Sequence, residues 1–392
     1  MAAFLRNIKG DKVIWAVVFL LTIISFLAVY SSTGTLAYKY QGGNTQYYMF
    51  KHGLILFLGL ALMYVAHNVK YTYYSRIFQI ALYIAVPLLF ITLFFGLNLN
   101  EANRVLPLPF GLTFQTSDLA KITLIIYLAR MLTKKQDEIH NFKSAFIPLM
   151  LPVIIVTGLI FWDNFSTAAL LFTTSLVLIF IGRVKLTYII GMIGIGLILL
   201  VLGLALLYNL PEGQQGRFGT WKNRITNYID GSKGDSYQIE QAKIAIATGG
   251  IIGKMPGNST QRNFLPHPYS DFIYAIIIEE YGLMGGILVV LLYLILLFRA
   301  VKIVTKAPGT FGSFLTIGVA FSLVFQAMIN MGVAVGLLPV TGQPLPLVSM
   351  GGTSIWFTSL AIGIILSVSK EIDKKEINHD DKKLNLATAH AR

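Results

Sequence analysis

The stretch Pro266-His267-Pro268-Tyr269-Ser270-Asp271-Phe272-Ile273-Tyr274 places a carboxylate where a polar segment runs into an apolar one. A carboxylate is costly at a hydrocarbon edge, and this position is reached by both water and lipid, so Asp271 is the leading candidate for acid–base chemistry. The competing reading is that Ser270 and Asp271 cap the N-terminus of the following helix, where Asp is favoured in any protein. About two turns deeper, Glu279 and Glu280 stand side by side in an apolar segment. Adjacent carboxylates there require that at least one face the bundle interior, a cation or a cavity. Asp118 and Lys121 are three residues apart, which puts them on one helix face and close enough to pair. These four residues either line an intramembrane cavity or hold helices together.

A second set is cationic. Arg217, Lys222, Arg224, Lys233, Lys243, Lys254 and Arg262 give residues 209–270 a positive balance, and Gly249-Gly250-Ile251-Ile252-Gly253-Lys254 sets flexible backbone beside a cation. Such a surface suits phosphate or pyrophosphate, although it suits anionic lipid headgroups equally and the glycine run is no phosphate-loop motif. The six histidines are scattered, and neither His-Glu-x-x-His nor Gly-x-Ser-x-Gly occurs, which argues against a zinc or serine hydrolase. With no cysteine there is no disulfide framework and no thiolate metal site, and no metal site is expected.

The elements that must carry these groups are set by composition. Of 392 residues, 55% are hydrophobic and 12% charged, roughly half the charged fraction of a soluble chain. Apolar runs recur at or near the roughly 20 residues that a helix needs to cross a bilayer. Spans are expected near 13–31, 51–68, 76–97, 116–132, 145–161, 165–182, 186–208, 271–299, 311–336 and 351–369, which defines an all-α polytopic membrane protein of about ten helices. The net charge of +13 comes from cations in short loops rather than on one polar face, so a nucleic-acid partner is not expected.

Lys and Arg also set the orientation. Arg6, Lys9, Lys12, Lys70, Arg76, Arg130, Lys134, Lys135, Lys143, Arg183, Lys185, Arg299, Lys302, Lys306 and Lys370 fall at one end of the bundle, whereas the opposite short loops hold mainly Lys39 and Arg104. Both termini are then cytoplasmic, and residues 209–270 form one large extracytoplasmic loop. Ser236 to Thr248 reads as a short amphipathic helix within that loop. The tail 370–392 is polar, charge-mixed and free of aromatic residues, and is expected to be disordered and cytoplasmic.

Two long motifs, in order, resemble the SEDS family (shape, elongation, division and sporulation; the FtsW, RodA and SpoVE proteins). The first runs from Gly249-Gly250-Ile251-Ile252-Gly253-Lys254 through Gly257-Asn258-Ser259, Gln261-Arg262, Leu265-Pro266 and Ser270-Asp271-Phe272-Ile273-Tyr274-Ala275 to Glu279-Glu280-Tyr281-Gly282. The second joins Leu338-Pro339-Val340-Thr341-Gly342, Pro344-Leu345-Pro346 and Ser349-Met350-Gly351-Gly352-Thr353-Ser354. The likeness covers nearly all spans, so residues 1–369 are read as one SEDS transmembrane glycosyltransferase domain. The wording around Asp271 is most similar to the cell-division (FtsW) branch of Bacteroidota. Departures occur at Arg104-Val105, Thr116-Ser117-Asp118 and Asp163-Asn164-Phe165-Ser166-Thr167, where the family commonly has Arg-Trp, Pro-Ser-Glu and Pro-Asp-x-Gly-Thr.

The resemblance implies a peptidoglycan glycosyltransferase of the bacterial inner membrane that polymerises lipid II at the septum. Its implied partners are a class B penicillin-binding protein, other division proteins, undecaprenyl-linked glycan and membrane lipid. Asp271 falls on the family's catalytic aspartate and would take the proton of the acceptor hydroxyl. Arg224, Lys254 and Arg262 are candidates for steadying the pyrophosphate, with Gln238 and Arg104 as further pyrophosphate or glycan contacts. No cofactor is evident, and a divalent cation at the pyrophosphate is left open. A lipid II flippase and an elongation (RodA-type) polymerase are the alternative readings.

Overall fold

The computed structural model describes residues 9–99, 102–108, 112–208 and 235–390, and each expected span is a helix within it. In chain order the helices are α1 (Lys12–Ser32), α2 (Gly34–Gln41), α3 (Thr45–Asn68), α4 (Tyr71–Phe95), α5 (Thr116–Lys134), α6 (Ile147–Asp163), α7 (Phe165–Ile181), α8 (Leu186–Tyr208), α9 (Asp235–Gly249), α10 (Ile273–Lys306), α11 (Thr310–Ala334) and α12 (Thr353–His390). Strands β1 (Leu97–Leu99), β2 (Ala102–Leu108) and β3 (Leu112–Gln115) make a small antiparallel sheet between α4 and α5. It was not foreseen as structure, and it is clipped to the bundle because Thr353 Oγ1 donates to the Thr113 carbonyl at 3.1 Å and accepts from Gln115 N at 3.3 Å.

Among the described residues seven helices are long and apolar enough to cross a membrane, and α7 and the first part of α8 are shorter apolar helices. Helix α5 completes the set although it carries Asp118, Lys121, Arg130 and Lys134. Its neighbours explain this: α4, α6, α7, α11 and α12 all pack on it, and it is buried along most of its length. A helix enclosed by protein need not match lipid on any face.

The end of the bundle that bears the loop cations is tied together by charge. Asp11 Oδ1 caps α1 by accepting from Val13 N and Ile14 N, while Oδ2 receives both Arg299 Nε and Nη2 at 2.8 and 2.6 Å. Asp373 Oδ2 accepts from Gly10 N at 2.9 Å. That contact lies in the tail expected to be disordered, and α12 instead continues to His390. Residues 370–390 contain no Pro or Gly and alternate acids and bases at helical spacing, as in Glu371–Lys374, which favours continuation.

At the opposite, loop-bearing end, the amphipathic helix is present as α9, packed on α10 and α11 with Ile239, Ala242 and Ala245 buried. The chain then wedges into a break in α10. Gly282 has φ 70° and ψ −174°, a backbone state essentially confined to glycine, and it interrupts the helical ladder. The groups released there are paired with the glycine loop: Lys254 N donates to Glu279 O, Leu283 N to Gly250 O and Met284 N to Ile251 O, at 2.9, 2.9 and 3.4 Å. Main chain meets main chain so closely that a Cβ on Gly249 would lie 2.2 Å from Ile278 O, and one on Gly282 2.1 Å from Ile251 O. The glycines therefore serve close backbone packing, and the expectation that this run offers flexible backbone to a phosphate is corrected. Gly282→Ala should cost about 3 kcal/mol or more, as strain and clash together. Thermal unfolding in detergent reads this as an early transition, and an unaltered melting curve would contradict the wedge.

Candidate functional site

Asp271 sits two residues before α10, half-buried, in a turn at the loop-bearing end. The N-cap position of α10 is Phe272 rather than Ser270 or Asp271, and its side chain makes no cap hydrogen bond. Instead Ser270 Oγ donates to Asp271 Oδ1 at 2.9 Å. Gly342, with φ 65°, lies against the other carboxylate oxygen: a methyl group there would stand 3.6 Å from Oδ2.

The turn lacks a regular backbone ladder, and it is held from outside. Three successive carbonyls each receive one hydrogen bond from the second motif or from α11: Tyr269 O from Met350 N at 2.9 Å, Ser270 O from Ser349 Oγ at 2.6 Å, and Asp271 O from Asn330 Nδ2 at 2.9 Å. Ser349 Oγ also accepts from Leu345 N at 2.8 Å. Asn330 Nδ2 also donates to Gln343 O at 2.7 Å, and Gln343 Nε2 donates to Thr167 Oγ1 at 2.7 Å. The segment 344–348 is braced in turn, since Pro344 O accepts from Gln326 Nε2, Pro346 O from Tyr293 OH and Val348 O from Ser25 Oγ, which His52 Nε2 approaches at 2.8 Å.

Gln326 links this scaffold to α5. Its Oε1 accepts from Lys121 Nζ at 3.2 Å, and Lys121 pairs with Asp118 at 2.7 Å, both side chains being nearly buried. The expected i,i+3 pair is thus formed. The acids of α10 have a separate set of partners. Glu279 is fully buried and pairs with Lys254 at 2.7 Å, while accepting from Ser259 Oγ, from Thr260 N and Oγ1 and from Gln261 N. Glu280 accepts from Ser31 Oγ and from Ser259 N, and Arg262 Nη1 donates to the Ser31 carbonyl at 3.0 Å. The Glu pair therefore docks residues 254–262 onto α10 and α1, whereas Asp118 and Lys121 join α5 to α11.

This changes the standing of the cations. The charge of Lys254 is matched by Glu279 and its ammonium also donates to Thr260 Oγ1 at 2.9 Å, so it anchors the loop. Arg262 is half-buried against Ser31. Gln238 lies on α9, half-buried, and Arg104 lies on β2 with its side chain outside the described residues. Arg224 falls wholly outside them. Asn164, where the sequence departs from its resemblance, caps α7 by accepting from Thr167 N at 3.1 Å. Among the described residues no cluster of three or more His, Asp or Glu is arranged to hold a metal ion.

Beside Asp271, the Tyr269 phenol is pushed up from its ordinary value, first by burial and then by the carboxylate of Asp271 and by Tyr40 and Tyr48. It stays neutral at working pH, with its hydroxyl 3.4 Å from His267 Nδ1. The arrangement thus presents a partly exposed carboxylate on an immobilised turn, beside the Ser270 hydroxyl and the Tyr269 phenol, above an apolar bundle. Such a group can accept a proton from a substrate hydroxyl. Sequence reasoning missed Asn330, Gln326, Gln343 and Ser349 as determinants of the site. A signal for two of them was present: Gln326 and Asn330 are amides one turn apart in an apolar span.

Comparison with known proteins places this arrangement among relatives. The family model described as cell cycle protein (FtsW, RodA, SpoVE) matches residues 11–374. A probable peptidoglycan glycosyltransferase FtsW of Geobacter metallireducens is 34% identical over 369 residues, covering 92% of this chain and 95% of the relative. Stage V sporulation protein E of Bacillus subtilis is 32% identical over 375 residues, covering 93% and 98%. In structure, the chain resembles one from a study of structural coordination of polymerization and crosslinking by a peptidoglycan synthase complex, with TM-score 0.72, 23% identity and 93% and 98% coverage. It also resembles the rod shape determining protein RodA of Thermus thermophilus, with TM-score 0.66, 23% identity and 93% and 98% coverage.

Removal of the Glu279 carboxylate leaves Lys254 and the donors of residues 259–261 without their acceptor. Glu279→Ala should therefore cost about 3 kcal/mol or more, as breaking one side of a buried pair does. Limited proteolysis should then cut within residues 250–265 faster than in the parent protein; equal cleavage rates would show that the loop is anchored otherwise.

Proposed function

The chain belongs to the cell cycle protein family of FtsW, RodA and SpoVE, and from that membership we propose that it is a peptidoglycan glycosyltransferase that polymerises lipid II during division. The bundle is a multi-pass membrane protein, and in this reading its cation-bearing end faces the cytoplasm, in keeping with the bias of Lys and Arg. Asp271 then lies at the outer surface of the inner membrane, where an amphipathic substrate keeps its polyprenyl tail among helices and its sugars in water.

The observation that carries the reading is the clamped turn: a half-buried carboxylate on a backbone whose three successive carbonyls are fixed. Glycan extension joins a sugar hydroxyl to an anomeric carbon while a lipid pyrophosphate departs. Asp271 accepts the proton of the attacking 4-hydroxyl as the new C–O bond forms and the bond to pyrophosphate breaks. A positioned base contributes about 10² to 10⁴-fold to such a step. The leaving charge is received by cations of the loop. Lys254 is set aside for that role because Glu279 neutralises it, which leaves Arg224 and Arg262, with Gln238 and Arg104 as glycan contacts. The chain works with a class B penicillin-binding protein that crosslinks the emerging strand, a partnership supported by the fold shared with a chain of the peptidoglycan synthase complex.

In detergent no bilayer has to be crossed, so polymer formed there from lipid II separates a polymerase from a flippase. Folded Asp271→Ala protein with its partner should form glycan polymer at least about 10²-fold more slowly than the parent. Undiminished polymer from that variant removes Asp271 from catalysis, and a parent protein that moves lipid II across vesicles without making polymer overturns the enzyme reading altogether.

A further inference from the structure

We infer that Asn330 is the positioning residue for Asp271, acting on its main chain from α11 and not on the substrate. The inference rests on the reading of Asp271 as the general base. Residues 267–271 form turns without a helical or sheet ladder, so the path of the backbone that aims the Asp271 side chain depends strongly on tertiary contacts. Of the three donors to carbonyls 269–271, Met350 N belongs to the backbone, and Ser349 Oγ also accepts from Leu345 N within its own loop. Asn330 is the side chain that reaches the carbonyl of Asp271 itself, at 2.9 Å, and the same nitrogen donates to Gln343 O at 2.7 Å.

The residue type fits this task. A primary amide carries two diverging N–H groups on one nitrogen and can bridge two carbonyls; a carboxylate of the same shape has no donor, and a hydroxyl has one. Asn330 is 1% exposed, and its Oδ1 has no hydrogen-bond partner among the described residues. A buried amide with an unpaired acceptor is a poor choice for stability alone. Its two donated bonds join the turn bearing Asp271 to the loop that walls Asp271 Oδ2 at Gly342. Through Gln343 the same bridge extends to Thr167 on α7.

The test uses the full-length chain with its crosslinking partner on lipid II, comparing Asn330→Ala, Asn330→Asp and Asp271→Ala. Asn330→Asp keeps the volume and offers at most the single proton of a buried carboxyl in place of two N–H groups, so it separates the bridging of two carbonyls from packing. Both Asn330 variants should lower kcat about 10- to 100-fold with KM within about threefold of the parent, because a misaimed base weakens the chemical step and leaves substrate binding intact. Their melting temperatures should stay within about 5 °C of the parent. Parent-like kcat in Asn330→Asp overturns the inference while an inactive Asp271→Ala leaves the general-base reading standing. A raised KM at unchanged kcat makes Asn330 a substrate contact, and loss of folded protein in both variants makes it a structural residue; either result overturns the positioning role. Parent-like polymerisation by Asp271→Ala sinks the general-base reading, and the positioning role falls with it.

Discussion

A helix interrupted inside an apolar bundle exposes backbone groups that neither lipid nor apolar side chains can satisfy. The break of α10 at Gly282 is such a place, and much of the loop-bearing end follows from how it is filled. The glycine run supplies carbonyls for Leu283 N and Met284 N, and Lys254 N takes the vacated Glu279 carbonyl. That docking brings residues 254–262 over the first turns of α10, where Glu279 and Glu280 collect their polar groups. The chain is thereby fixed ahead of Asp271, and the C-terminal motif with Asn330 of α11 fixes it again at residues 269–271. The carboxylate stands between two anchored stretches.

The buried charges share one logic. Asp118 with Lys121, Glu279 with Lys254, and Asp11 with Arg299 each join elements or brace a helix end, and each carboxylate is nearly inaccessible. Buried pairs of this kind add little net stability compared with apolar packing, because both ions are stripped of water. They do penalise any packing that separates the partners. In a bundle whose helices are otherwise greasy and interchangeable, the pairs that cross between elements, Glu279 with Lys254 and Asp11 with Arg299, specify which faces meet. Asp271 differs from them in being partly exposed on a loop, and its proposed role rests in part on that difference.

The spans were legible in the sequence because hydropathy and length set them almost independently of neighbours, and α9 was legible from its apolar spacing. The i,i+3 pair on α5 was legible for the same local reason. The partners of the loop were not. Lys254 and Glu279 are 25 residues apart, and Asn330 and Asp271 are 59 apart, so no local pattern records that they meet. The glycine run was misread for a related cause: a position that needs close main-chain approach and one that needs backbone freedom call for the same residue. The tail was misread because its polar composition signals the lack of a core, while its helix-forming residues simply prolong α12. Resemblance identified both motifs, but only the contacts of Met350 N and Ser349 Oγ with the carbonyls of Tyr269 and Ser270 reveal that they meet.

Helix α5 carries a consequence for how the molecule is made. Its charged residues keep it out of the class of helices apolar enough to enter a bilayer by composition, and charged side chains within a span raise the cost of insertion. Retention of α5 during biosynthesis therefore depends on protein surroundings: α4 emerges first, α6 follows, and α11 with Gln326 arrives some two hundred residues later to complete the coordination of Lys121. Assembly of the membrane domain is in this sense a late event, finished only when the C-terminal helices have been delivered by the ribosome.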